Sequence, residues 1–115
     1  MNDTNLGKIP LIYTHFGVSQ YLPLTLNAAS ITNPDRPKYL LGDDSNREVA
    51  SRSGWAHIDS RKIKSAIRSE FNSKFYWIQG VDHVPTRANH DWLRYVFERW
   101  FFIHQFCLER GFSCF

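Results

Sequence analysis

The sequence predicts an α/β fold, with parallel strands forming a sheet and helices flanking it, and three features carry that prediction. Short apolar runs rich in strand formers alternate with stretches of helical period. Clusters of Asn, Asp, Gly and Pro separate them. A long segment of helical period then closes the alternation near residue 110. A chain of 115 residues has room for one core and not for two independent ones.

Ile9 to Tyr13 is apolar and leads into Thr14-His15-Phe16-Gly17, which reads as a buried strand ending in a loop. Ser19 then suits a helix cap and Pro23 its first turn. Tyr21, Leu24, Ala28 and Ile31 recur at helical spacing and so form the expected inner face, until Asn33-Pro34 ends the run. After the turn-rich residues 33–37, Lys38-Tyr39-Leu40-Leu41-Gly42 is a second strand, followed by the loop Asp43-Asp44-Ser45-Asn46. Strand, helix, strand is the unit from which parallel sheets are built. Trp55-Ala56-His57-Ile58-Asp59 reads as a third strand, with Ser60 capping a helix that turns Ile63, Ala66, Ile67 and Phe71 inward. Residues 72–88 are irregular, a loop with a brief strand, and hold the aromatic cluster Phe75-Tyr76-Trp77.

From Asn89 to Arg110 the period predicts a helix of about 33 Å, at about 1.5 Å per residue, closed by Gly111 as a left-handed cap. Leu93, Val96, Trp100, Ile103 and Cys107 make its apolar stripe, widened by Phe97. Asp91, Arg94, Glu98, Gln105 and Glu109 lie opposite, and Arg99 sits at the margin among Trp92, Tyr95 and Phe106. His104 falls on the apolar side and is expected as a core histidine. Phe112-Ser113-Cys114-Phe115 alternates like an incoming strand. Residues 1–8 are thus expected to be a polar tail, and residues 9–115 the first portion of a single, larger α/β domain.

Composition narrows the function. Hydrophobic residues at 43%, aromatics at 16% and charges at 22% exclude a disordered or collagen-like chain. No apolar run approaches the ~20 residues of a membrane span. The polar start lacks the features of a secretory signal, which favours a cytoplasmic location with Cys107 and Cys114 reduced. The net charge of +3 is mild, but residues 47–74 hold seven basic residues against three acids, a candidate anion-facing surface. Such runs are more often solvated helix faces.

Parallel sheets bind ligands at the carboxyl ends of their strands, and here those ends present Thr14-His15-Phe16-Gly17, Asp43-Asp44 and Asp59. No G-x-G-x-x-G follows the first strand and no Gly-Lys-Ser/Thr occurs, so dinucleotide and P-loop sites are excluded. Phosphates would have to be neutralised by a metal or by arginines. His104 and Cys107 share a helix face but lack the paired spacing of a zinc site, and a thiol buried on the apolar stripe is a poor nucleophile. Basic residues among Trp55, Phe71, Phe75, Tyr76 and Trp77 suggest a stacking surface for single-stranded nucleic acid, although aromatics in a chain this rich in them are more often core.

Ile9-Pro10-Leu11-Ile12-Tyr13-Thr14-His15, the helix ending at Asn33-Pro34, Tyr39-Leu40-Leu41-Gly42-Asp43 and Phe97-Glu98-Arg99-Trp100-Phe101 together resemble, in order and spacing, the opening of a GT-A-type glycosyltransferase. The resemblance covers most of residues 9–115. It implies a partial Rossmann-like GT-A sheet whose first part binds the nucleotide of a nucleoside-diphosphate sugar, the uridine type favoured, in a protein that transfers the sugar to a hydroxyl acceptor. In that family the strand after the long helix leads into an Asp-x-Asp metal motif. This chain holds no Asp-x-Asp, so it is expected to stop short of that strand end and to be inactive alone. A divalent cation, Mn or Mg, is expected only in a full-length protein, and none in this chain.

By the same resemblance Thr14 and His15 lie against base and ribose, Asp43 or Asp44 accepts a base N–H, and Arg99 reaches the diphosphate or donor sugar. An arginine at an aromatic margin also suits phosphate on physical grounds, the alternative being a salt bridge to an acid such as Asp59. No catalytic residue is assigned. The acceptor, the donor sugar and the stereochemical outcome would be set beyond Phe115. The alternative function is a non-catalytic, basic α/β module that binds nucleic acid; a nucleic-acid partner is the less favoured of the two.

Overall fold

Three short strands pair in parallel in the order β1-β2-β3: β1 is Leu11–Thr14, β2 Lys38–Gly42 and β3 Ala56–Asp59. The structure, a computed structural model, describes residues 9–76 and 90–115. Among the described residues four α-helices accompany the sheet: α1 Leu22–Thr32, α2 Arg47–Arg52, α3 Ala66–Lys74 and α4 His90–Arg110. The fold is therefore α/β with a small parallel sheet, as part of a Rossmann-like fold would be. The polar tail 1–8, Trp77 and the rest of the loop with its brief strand up to 88, and Asn89 lie outside the described residues. No helix of the described residues is long and apolar enough to cross a membrane.

β1 and the middle of β2 are apolar at successive positions because both faces of the sheet are covered, the expected habit of a parallel sheet. With Ile12 opposite Tyr39 and Leu41 opposite Ile58, one face meets α4 through Phe102, Phe106, Ile103 and Cys107. Tyr13 stands opposite Leu40, and that other face meets α1 and α2 through Leu22, Leu26 and Ala50, with Trp55 between them.

The face that α1 buries differs from the one its period suggests. Leu22 and Leu26 are fully buried, whereas Tyr21, Leu24 and Ile31 are all more than half exposed. Both stripes have helical spacing because the helix is apolar almost all round. Trp55 selects between them: its indole N–H donates to the Leu26 carbonyl at 3.1 Å and the Ser30 hydroxyl at 3.0 Å. The cap also differs. Leu22 N–H reaches the Ser19 carbonyl, and the Ser19 hydroxyl lies 3.3 Å from His15 Nε2 instead of capping.

After β2 the expected loop is a 3-10 turn, Asp44–Asn46, running into α2. Asp43 accepts the Ser45 N–H and Asn46 accepts the Asp43 N–H, a reciprocal cap that starts the turn. After β3, Asp59 caps a second 3-10 turn, Ser60–Lys62, and Ser65 caps α3 by accepting the Arg68 N–H. Ser60 is thus not the cap of α3. Ile63 is buried in the connection, while Ile67 is exposed and Phe71 packs on Phe75 and Phe101.

The buried face of α4 is also rotated from expectation. Phe102, Phe106 and Glu98 are inside, Trp100 and Phe97 are more than half exposed, and His104 is exposed rather than a core histidine. Apolar residues surround this helix, so periodicity alone does not fix its orientation. Glu98 tolerates burial because Arg68 pairs with it at 3.5 Å, with the Arg68 Cζ 4.8 Å from the Phe102 ring centroid. Gly111, at φ +74°, ends α4 as expected. Its N–H reaches the Leu108 carbonyl and the Phe112 N–H reaches that of Cys107, a Schellman cap. Phe112 then folds back on Tyr39 and Phe106, so residues 112–115 do not form the expected strand.

Candidate functional site

An open cleft of about 1360 Å³ lies at the carboxyl ends of the three strands. Thr14, His15, Phe16 and Asp43 form its sheet side; Lys64, Arg68, Asn72, Arg94, Tyr95 and Arg99 form its helix side. Of the residues expected to meet a ligand, the structure brings Thr14, His15, Asp43 and Arg99 together here. Asp44 lies outside the cleft, exposed between Arg47 at 3.2 Å and Arg61 at 2.9 Å, and those hydrogen bonds hold its carboxyl below the usual range.

The sheet side is held by its own polar groups. Asp43 Oδ2 accepts the Gly17 N–H at 2.8 Å, and Oδ1 accepts both the Ser45 N–H and its hydroxyl. Burial would raise this carboxyl, but those donors, with Arg61 nearby, keep it below the ordinary range. Asp43 is thereby an organiser of the loop as well as a lining group. Asn46, fully buried and not anticipated from sequence, joins the same network. His15 stands edge-on to Tyr21 at 5.7 Å, and burial lowers its pKa although Asp43 partly offsets this.

The helix side carries cations and polar atoms without partners. Among the described residues, Asn72 Oδ1, Arg94 Nε and Arg99 Nε are buried and make no hydrogen bond. Burial pushes the Tyr95 hydroxyl up to about 12, the neighbouring Thr14 hydroxyl only partly opposing it. Buried polar atoms are rarely left unpaired, and three on one cleft wall mark where a polar ligand or water would bond. Arg94 comes no nearer than 3.9 Å to Asp91, and the Arg99 guanidinium lies 5.3 Å from the Trp100 ring. The possible Arg99 to Asp59 salt bridge is not formed, because Arg61 holds Asp59 through both carboxylate oxygens and brings its pKa to about 2.

Five basic residues line the cleft, Arg61, Lys64, Arg68, Arg94 and Arg99, against three acids, Asp43, Asp91 and Glu98. Arg61 and Arg68 are committed to Asp59 and Glu98. Lys64, Arg94 and Arg99 remain for an anion. Lys64 belongs to the basic run noticed in the sequence; Arg94 was assigned to the solvent face, and nothing local marked Asn72 or Tyr95. The run itself does not form a free anion-facing surface. Arg47, Arg52, Arg61, Arg68 and Lys74 each pair with an acid, which leaves Lys62 and Lys64 of its seven members.

Of the cleft's three carboxylates, Asp43 is saturated by loop donors and Glu98 faces Arg68, so neither suits the divalent cation of the resemblance. Among the described residues no group of three or more His, Cys, Asp or Glu could hold a metal ion. His104 and Cys107 lie elsewhere, on a smaller groove near the end of α4, and burial raises the Cys107 thiol. Comparison with protein-family models, with curated proteins and with solved structures finds no match to this chain.

Proposed function

We propose that the cleft binds the nucleoside-diphosphate part of a sugar nucleotide, and that the chain is the nucleotide-binding portion of a GT-A-type glycosyltransferase. The observation that carries this reading is the set of cations without a carboxylate partner among the described residues, Lys64 and Arg99 with the loosely held Arg94, at the carboxyl ends of parallel strands. A doubly wound sheet receives nucleotides at that end. Guanidinium groups offer planar forks that match phosphate oxygens. The aromatic rim of His15, Phe16 and Tyr21 supplies faces and edges against which a base would lie.

Sugar transfer breaks the bond between the anomeric carbon and the diphosphate oxygen as an acceptor hydroxyl attacks, and the electron pair leaves with the diphosphate. Arg94, Arg99 and Lys64 would hold that charge, stabilising the leaving group by preorganised electrostatics. Titration calorimetry with uridine diphosphate, adenosine diphosphate, uridine and a single-stranded oligonucleotide tests the reading. Uridine diphosphate should bind at least about tenfold more tightly than uridine, as one or two charge-assisted hydrogen bonds imply. Arg99→Ala should remove that difference. Tighter binding of the oligonucleotide than of either diphosphate would replace this reading with a nucleic-acid module.

A further inference from the structure

Asn46 is a fully buried polar side chain that ties the loops after β1 and β2 to His57 of β3, and its hydrogen-bonding capacity is full. Its amide nitrogen donates to the His15 carbonyl at 3.1 Å and the Gly17 carbonyl at 2.8 Å. Its amide oxygen accepts the Asp43 N–H at 3.1 Å and lies 2.9 Å from His57 Nε2. An amide has two donor hydrogens and two acceptor lone pairs, so this arrangement uses all four. The assignment of oxygen and nitrogen is forced, because the carbonyls need donors and the Asp43 N–H needs an acceptor. His57 therefore carries its proton on Nε2.

The backbone after β1 is thereby held at successive peptide groups. His15 N–H reaches the Leu41 carbonyl, the His15 and Gly17 carbonyls take the two Asn46 hydrogens, and the Gly17 N–H is taken by Asp43. The Phe16 side chain between them is 71% exposed and lines the cleft. Gly42 makes room for the device: a Cβ there would fall 2.1 Å from Asn46 Oδ1. Gly17 contributes the other requirement, a φ of +80°.

We propose that Asn46 is a positioning residue of the cleft, fixing the His15–Gly17 backbone so that the sheet side is set before the nucleotide arrives. The proposal rests on the nucleotide reading above and adds how its base-side wall is preorganised. A wall fixed in advance loses less entropy on binding, so the gain falls on ligands that touch it. Inorganic pyrophosphate, which is all charge, would lean on Lys64, Arg94 and Arg99 and be indifferent to Asn46. Asn46→Asp is the informative change, because it keeps the shape and the two acceptors while losing both donors.

The experiment titrates uridine diphosphate and pyrophosphate into the full chain and its variants, and follows amide hydrogen exchange at Gly17 against Leu40 and Leu41. Asn46→Asp should weaken uridine diphosphate by about tenfold or more, the scale of two lost hydrogen bonds. Pyrophosphate should weaken several-fold less than uridine diphosphate, by no more than the aspartate's added charge, which both anions feel, costs it. Gly17 exchange should accelerate while Leu40 and Leu41 keep their protection. His57→Ala, which removes one half-buried partner of Asn46 and spares the core, serves if the aspartate variant does not fold; a smaller shift in the same direction is expected. Equal weakening of both ligands, or unchanged Gly17 exchange in the folded variants, would overturn the role of Asn46. Failure of the unaltered chain to bind either ligand would instead overturn the nucleotide reading, with the exchange result still separating the two.

Discussion

Arg99 illustrates how a single side chain divides between fold and function. Its Nε is buried without an acceptor, and no carboxylate of the described residues pairs with it. A charge in that position is a cost to the free protein unless a ligand supplies the partner. Arg99→Lys should therefore leave the melting temperature nearly unchanged and weaken uridine diphosphate by about 1.5 to 3 kcal/mol, since lysine lacks the planar fork. Calorimetry and thermal melting on the same purified variant check both halves. The histidines carry a second expectation. His57 has its pKa lowered from 6.5 chiefly by burial and then by Arg47, and His15 is lowered by burial. Both bind protons more tightly unfolded than folded, so the stability they contribute is complete above pH 6.5 and declines as pH falls below it toward the folded values. Urea unfolding across that window should show this slope, and His57→Gln should flatten it. A slope unchanged by His57→Gln would assign the pH dependence elsewhere.

The cap of the short helix α3 is Ser65 and not Ser60. Ser65 accepts the Arg68 N–H at its first turn, whereas Ser60 sits in the preceding 3-10 turn and offers its carbonyl to the Arg68 guanidinium. Ser65→Ala should cost about 1 kcal/mol of unfolding free energy, the usual worth of a helix cap, and Ser60→Ala clearly less. Denaturant titration of the two variants checks the order. The first two strands were legible because Ile9 to Tyr13 and Tyr39 to Leu41 are apolar on both faces, a local property of a sheet covered twice, and the third because Trp55 and Ile58 flank a short run of strand length. The orientation of α1 and α4 was not legible, because each has apolar residues all round and the choice of face is made by distant partners, Trp55 for one and Arg68 for the other. Helix α2, only six residues long and continued from the capped 3-10 turn rather than begun by an apolar period, left no pattern to read. The site divides the same way. Thr14, His15 and Asp43 follow from the rule that parallel strands bind at their carboxyl ends, and Arg99 from its place off the solvent stripe. Asn46, Arg94, Tyr95 and Asn72 matter because of what they bond or fail to bond across the fold, which spacing along the chain does not contain.

At the scale of the molecule, α1 and α2 cover one face of the sheet and α4 the other, so the chain changes faces after β3, and the cleft opens where sheet ends and α4 meet. The charge that meets a ligand there is supplied by side chains. Among the described residues Lys64 and Arg99 stand without carboxylate partners and Arg94 is 3.9 Å from one, whereas Asp43 is held by Gly17 and Ser45 and Glu98 by Arg68. Freeing either acid for a cation would break the loop or leave Arg68 unpaired in the interior, a loss of several kcal/mol by the behaviour of broken buried pairs. Binding of uridine diphosphate by this chain should accordingly be sustained by cationic side chains rather than by a bound divalent ion. Its affinity should change by less than about twofold between magnesium-containing and chelator-containing buffers, the level at which independent effects are ordinarily lost. Raising monovalent salt should weaken it steadily, because these guanidinium and ammonium groups lie in an open cleft where ions screen them. Paired titrations in the two buffers, each at low and high salt, decide the matter: affinity that rises tenfold with magnesium would mean that a cleft carboxylate, Asp91 or a rearranged Asp43 or Glu98, holds the ion when the nucleotide binds.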